Sequence, residues 1–169
     1  MKKFLAIALT FVFVGAFLFS GTQEFYKGDK FLTGQVGLNS YAIPFGASYG
    51  MAINENVEVG GTVMLYFWSD PGFSYSVVSP AVDAMYHFTK LKAENIDAFA
   101  GASLGYSIFS YSADFGTYTG TFSSSLYLSP FVGGRYYFNE KTAVSLRLHF
   151  AVSGTVTGAG GLLGITFKM

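Results

Sequence analysis

The sequence predicts an all-β protein, an eight-stranded antiparallel up-and-down transmembrane β-barrel, and three observations carry that expectation. The first is composition: 19% of residues are aromatic and 12% charged, with 21 glycines, where a soluble domain has about 25% charged residues. Such a chain covers little of its surface with groups suited to water. The second is a period-two alternation of apolar with polar or small residues from about Phe31 onward, in segments of the length a tilted membrane strand needs. The third is the lack of any long apolar run after the N-terminal one. A chain that crosses hydrocarbon without helices must close into a barrel, because lipid satisfies no backbone N–H or C=O group.

Lys2 and Lys3 precede an apolar run from Phe4 to about Phe19, the layout of a secretory signal peptide. Residues 1–20 are therefore assigned as the signal, 21–30 as an N-terminal periplasmic segment and 31–169 as the barrel. Cleavage after Ala16 and cleavage nearer Ser20 both remain open, and an uncleaved N-terminal anchor is the competing reading.

The expected strands cover residues 31–39, 45–53, 57–67, 77–88, 96–108, 126–138, 143–152 and 159–167. Asn54-Glu55-Asn56, the segment 89–95 and Asn139-Glu140-Lys141 are compact and polar, as periplasmic turns are. On the opposite end, 68–76 and 110–125 read as longer loops rich in Ser, Gly, Thr and aromatics, while 40–44 and 153–158 read as short ones. An echo at an offset of 50 repeats Ser79-Pro80, Val82, Tyr86 and Phe88 as Ser129-Pro130, Val132, Tyr136 and Phe138. It fits a barrel built from repeated hairpins.

Splitting each strand into its two faces decides the environment. One face carries residues such as Leu32, Val63, Val82, Leu104, Leu148 and Ile165 and holds no charge. The other collects Gly, Ser and Thr with every strand charge. In a soluble barrel that second face would meet water with almost no Lys or Glu to keep it soluble. In a membrane barrel the assignment reverses: apolar residues meet lipid, and small and polar ones fill a narrow interior. Aromatic placement agrees, with Tyr86, Phe88, Tyr136, Phe138 and Phe167 at the periplasmic ends and Phe45, Phe67, Tyr106 and Phe150 near the outer ends. These are the two interfacial girdles of a bilayer barrel.

Over nearly the whole mature length this pattern resembles the small OmpA/OmpX-type outer-membrane barrels. The stretch Gly164, Phe167, Met169 is similar to the barrel-assembly signal of that class, departing from it in the terminal Met and in Leu162, where a polar residue is usual. The resemblance implies a monomer in the bacterial outer membrane, inserted by the barrel-assembly machinery and in contact with outer-membrane lipid and lipopolysaccharide.

The inward face places Glu58, Asp83 and Asp97 opposite Arg135, Arg147 and Lys168, with the two histidines His87 and His149 on the same face. Unpaired charges in a narrow lumen are costly, so cross-lumen ion pairs are expected, with Asp83 to Arg135 as the first pairing. A polar plug that fixes the interior and a gate or proton path are the alternatives for this set. No cofactor is expected: the chain has no Cys, and two separated histidines make a poor metal site. Nor does any basic stripe suit nucleic acid. A lipid A deacylase-like enzyme, drawing on His149 and Ser153, fits poorly because His149 points inward and Ser153 lies four positions on. The reading is a non-catalytic structural or surface-interaction barrel, with loops 68–76 and 110–125 offered to an extracellular partner. A narrow porin-like channel for very small solutes is the main alternative.

Overall fold

The computed structural model describes residues 25–39, 42–89, 95–113, 119–152 and 158–169. The leader, with residues 21–24, and the connections 40–41, 90–94, 114–118 and 153–157, which include Ser153, lie outside the described residues. The elements are β1 (Lys30–Asn39), β2 (Phe45–Ala52), β3 (Val57–Asp70), β4 (Phe73–His87), β5 (Ile96–Ala113), β6 (Thr119–Asn139), β7 (Thr142–Ala151) and β8 (Gly158–Lys168). Each strand pairs antiparallel with the next, and β1 pairs with β8 to close an eight-stranded barrel. The all-β, up-and-down architecture read from the alternation is the one observed.

The wall is uneven in height. Strands β1, β2, β7 and β8 have 10, 8, 10 and 11 residues, close to the roughly 9–11 that span a bilayer. Strands β3 to β6 have 14, 15, 18 and 21. The expectation of a loop at 68–76 is corrected accordingly. The β3–β4 ladder continues to Asp70 opposite Phe73, and the chain reverses through Pro71 and Gly72, whose φ of 84° is the left-handed value that the third position of a type II turn requires. The expected loop at 110–125 is likewise mostly strand, with a bulge between Phe109 and Ser110. Half of the barrel thus rises above the other half as a curved sheet.

Burial follows the predicted faces. Leu32, Val63, Val82, Leu104, Leu148 and Ile165 are exposed on the outside, and Thr33, Glu58, Thr62, Ser79, Asp83 and Ser103 are buried inside. Every girdle residue named from the sequence is exposed except Tyr136, which is half-buried. Phe45 meets Phe67 across the β2–β3 pair at 5.7 Å between centroids, while Tyr86 with Phe88 and Tyr136 with Phe138 pack as neighbours along one strand, each pair at 5.5 Å. The echo falls on β4 and β6, which run in the same direction, with Ser79 and Ser129 inward and both prolines outward.

The interior itself departs from expectation, for it holds large side chains as well as small ones. Phe31, Met64, Met85, Phe99, Phe131, Tyr137 and Leu162 are all buried there. They fit because a ring on one strand lies over a glycine on the next. A Cβ on Gly133 would stand 2.6 Å from Phe99, and one on Gly101 would stand 2.7 Å from Phe131. Each is the direct cross-strand partner of the ring it admits. Inward glycines are therefore the sockets for inward aromatics.

Candidate functional site: the lumen and its outer mouth

The periplasmic end of the lumen is filled by a charged cluster. Arg135, near the end of β6, donates from both terminal nitrogens to Glu58, at 2.8 and 3.0 Å, and reaches Asp97 at 3.5 Å. His87 Nδ1 donates to Asp97 Oδ1 at 2.6 Å. Its Nε2 stands 3.3 Å from Glu58 Oε2, within ion-pair range but off hydrogen-bond geometry. Gly50 leaves the space that Glu58 occupies, since a Cβ there would collide with the carboxylate. The Arg135 guanidinium also lies over Phe31, 4.3 Å from the ring centroid, a contact that compensates part of its lost hydration.

The N-terminal segment covers this cluster. Phe25 stacks on His87 with centroids 4.1 Å apart and on Phe31 at 5.6 Å. Gly28 donates to the Ala52 carbonyl, and Ala52 donates back to that of Asp29. Lys168, counted from the sequence among the lumen charges, sits instead at the rim and pairs with Asp29 at 2.8 Å. Strand alternation alone offers no partner for it, because Asp29 lies before the first strand.

A second network crosses the lumen above the first. Asp83 pairs with Arg147 at 3.1 Å, accepts from Thr62, and shares Arg147 with Ser103. The expected pairing of Asp83 with Arg135 is corrected here. Arg135 on β6 sits opposite Asp97 and Ser145, nearer the periplasm, while Arg147 on β7 rises to the level of Asp83. The two networks are joined by Phe99 and Phe131, edge to face at 6.2 Å, with Arg147 3.5 Å above the Phe131 ring. Met85 completes this apolar layer.

Above Arg147 the lumen opens. A small cavity of about 40 Å³ is lined by Tyr66, Ser79, Ser107, Tyr127, Ser129 and His149, among others. Ser79 and Ser107 share a hydrogen bond of 3.0 Å, and His149, seated over Gly160, has no hydrogen-bond partner at Nδ1 among the described residues. Among the described residues, no group of three or more His, Cys, Asp or Glu could hold a metal ion. The tall half of the wall continues this face upward as aromatics: Trp68 stacks on Tyr75 at 5.4 Å and meets Phe109 at 5.7 Å. Sequence reasoning listed Trp68 and Tyr75 as loop residues and missed Tyr66 and Tyr127, whose inward positions follow from the same alternation.

An exposed apolar belt, two aromatic rims and a polar, closed interior define a transmembrane β-barrel of the small outer-membrane type. No family model and no curated protein matches the chain. Solved structures do. The N-terminal β-barrel domain of Pseudomonas aeruginosa OprF is similar, with a TM-score of 0.65 and 16% identity over 85% of this chain and 98% of that one. P. aeruginosa OprG follows, with a TM-score of 0.62 and 11% identity over 87% and 98%. The attachment invasion locus protein Ail of Yersinia pestis, solved with the heparin analogue sucrose octasulfate, gives 0.57 and 12% over 85% and 100%. At these identities the likeness is one of fold.

Proposed function

We propose that the chain is a monomeric integral protein of the bacterial outer membrane, non-catalytic, whose barrel does not conduct and whose work is done by the surface it raises outside. The carrying observation is the filled lumen: two ion-paired networks with the Met85, Phe99 and Phe131 layer between them. A water thread would have to break buried pairs, each of which is costly to separate. The lipid-modifying alternative finds less support. His87 is already engaged by Asp97 under the Phe25 ring, and His149 faces the lumen while the lipid lies outside. Lipid and lipopolysaccharide would contact the apolar belt and its rims. Phe167 and Met169, exposed at the end of β8, would be offered to the barrel-assembly machinery.

Single-channel recording in planar bilayers tests the closed lumen. The intact barrel is expected to show no stable conductance steps, whereas Arg147→Ala combined with Phe131→Ala should produce them. Stable ion-conducting steps from the unaltered barrel would favour the channel reading instead.

A further inference from the structure

We infer that the concave face of the β3–β6 extension, together with the pocket beneath it, binds a neutral saccharide; this rests on the surface-interaction reading above. Three features point to that ligand class. The upper wall is a cross-strand aromatic row. Trp68 lies opposite Tyr75 and Tyr75 opposite Tyr111, with Phe73 6.2 Å from Tyr75 and Phe109 5.8 Å from it. The C–H bonds on one face of a pyranose ring are weakly positive and pack against the negative face of such rings.

Below this row the chemistry changes from rings to hydroxyls. Tyr66 belongs to both levels, sharing with Met64, Val77 and Leu162 the buried cluster on which Trp68 and Phe109 pack, while lining the pocket with Tyr127, Ser79, Ser107 and Ser129. His149 Nδ1 is buried at the same level without a hydrogen-bond partner among the described residues. Buried polar atoms in native proteins are nearly always satisfied, and a saccharide hydroxyl can donate or accept as that nitrogen requires. The cavity itself admits only about 40 Å³, room for a hydroxyl group and not for a sugar ring, so the ring lies on the aromatic row above and reaches the cavity with a hydroxyl.

Charge decides between neutral and sulfated sugars. The outer segments 40–44, 68–76, 109–125 and 153–158 contain no Lys or Arg, and their charges are Asp70 and Asp114. The nearest cation inside, Arg147, is neutralised by Asp83. A polyanion such as the sucrose octasulfate bound by Ail would find nothing here to offset its charge. An uncharged glycan meets no such penalty.

Trp68 is the chain's only tryptophan, so the site carries its own fluorophore. The full-length mature barrel is titrated in an amine-oxide detergent, whose headgroup contains no sugar, with maltohexaose, cellohexaose, mannohexaose and chitohexaose, and in parallel with sucrose octasulfate and p-xylene. A saturable change in Trp68 emission with at least one neutral hexasaccharide is expected, and none with the octasulfate. Calorimetry on Tyr75→Ala, with folding checked by gel mobility, should show affinity for that hexasaccharide falling by roughly tenfold. No response to any of the four, equal or tighter binding of the octasulfate or of p-xylene, or unchanged affinity in folded Tyr75→Ala would each overturn the assignment. None of these results would bear on whether the lumen conducts, which the bilayer recording reads separately.

Discussion

Asp83 is the residue whose loss should be felt most in the upper network, because it alone faces Arg147 with a carboxylate at ion-pair distance among the described residues. Asp83→Ala leaves the part-buried Arg147 guanidinium without its carboxylate and with Ser103 as its remaining side-chain acceptor, at an expected cost of about 2–4 kcal/mol. A second change, Arg147→Met, should restore a sizeable part of it. In a double-mutant cycle followed by urea unfolding, Asp83 and Arg147 are expected to couple by more than about 1 kcal/mol, and Asp83 and Arg135 to combine additively. The opposite pattern would reinstate the pairing expected from sequence. That pairing failed for a definite reason. Alternation along a strand tells which side chains enter the lumen, but not the height at which each one lies. Height depends on the stagger between strands, and Arg147 reaches Asp83 across the barrel only in the observed register. Lys168 shows the same limit, since its partner Asp29 precedes the barrel altogether.

At the scale of elements, the strands' existence and order were legible, and their outer ends were not. The segments 68–76 and 110–125 are rich in Ser, Gly and Tyr and read as loops, yet the Pro71-Gly72 pair already marked a tight reversal there. On the outward face of this extension the chemistry changes abruptly. Leu65, Val78 and Ile108 form an apolar row, the next row up holds the girdle aromatic Phe67 with Ser76 and Ser110, and the one above it is Ser69, Ser74 and Ser112. This step marks the outer water line. Single cysteines introduced into this cysteine-free chain at 76 and 78 should therefore differ, with a membrane-impermeant maleimide modifying position 76 and sparing 78. Equal modification of both would move the line. Inside, the glycine sockets make a complementary prediction. Gly133→Val should press on both the Leu146 carbonyl and the Phe99 ring and cost about 1–3 kcal/mol or more, and Phe99→Ala in the same chain should relieve only the ring's share of that, as read from the unfolding midpoint.

For the whole molecule, closure makes backbone pairing mutual around the membrane-spanning height, so the barrel has no free edge there. Unboiled protein in detergent is expected to migrate faster than boiled protein, with a strand-dominated far-ultraviolet spectrum. A helix-dominated spectrum would contradict the fold itself. The central claim, however, is which face meets lipid. Leu148 and His149 are neighbours on β7, the first 44% exposed on the outside and the second lining the inner pocket. Leu148→Arg would set a guanidinium in hydrocarbon at about 2–4 kcal/mol, but a soluble barrel would also resist an arginine in what would then be its core. Labelling separates the two directly. A fluorophore on a single cysteine at 148 and another at 149, in bilayers containing lipids spin-labelled along the acyl chain, should give strong quenching at 148 and little at 149. Equal quenching at the two positions, or quenching at 149 alone, would contradict the account.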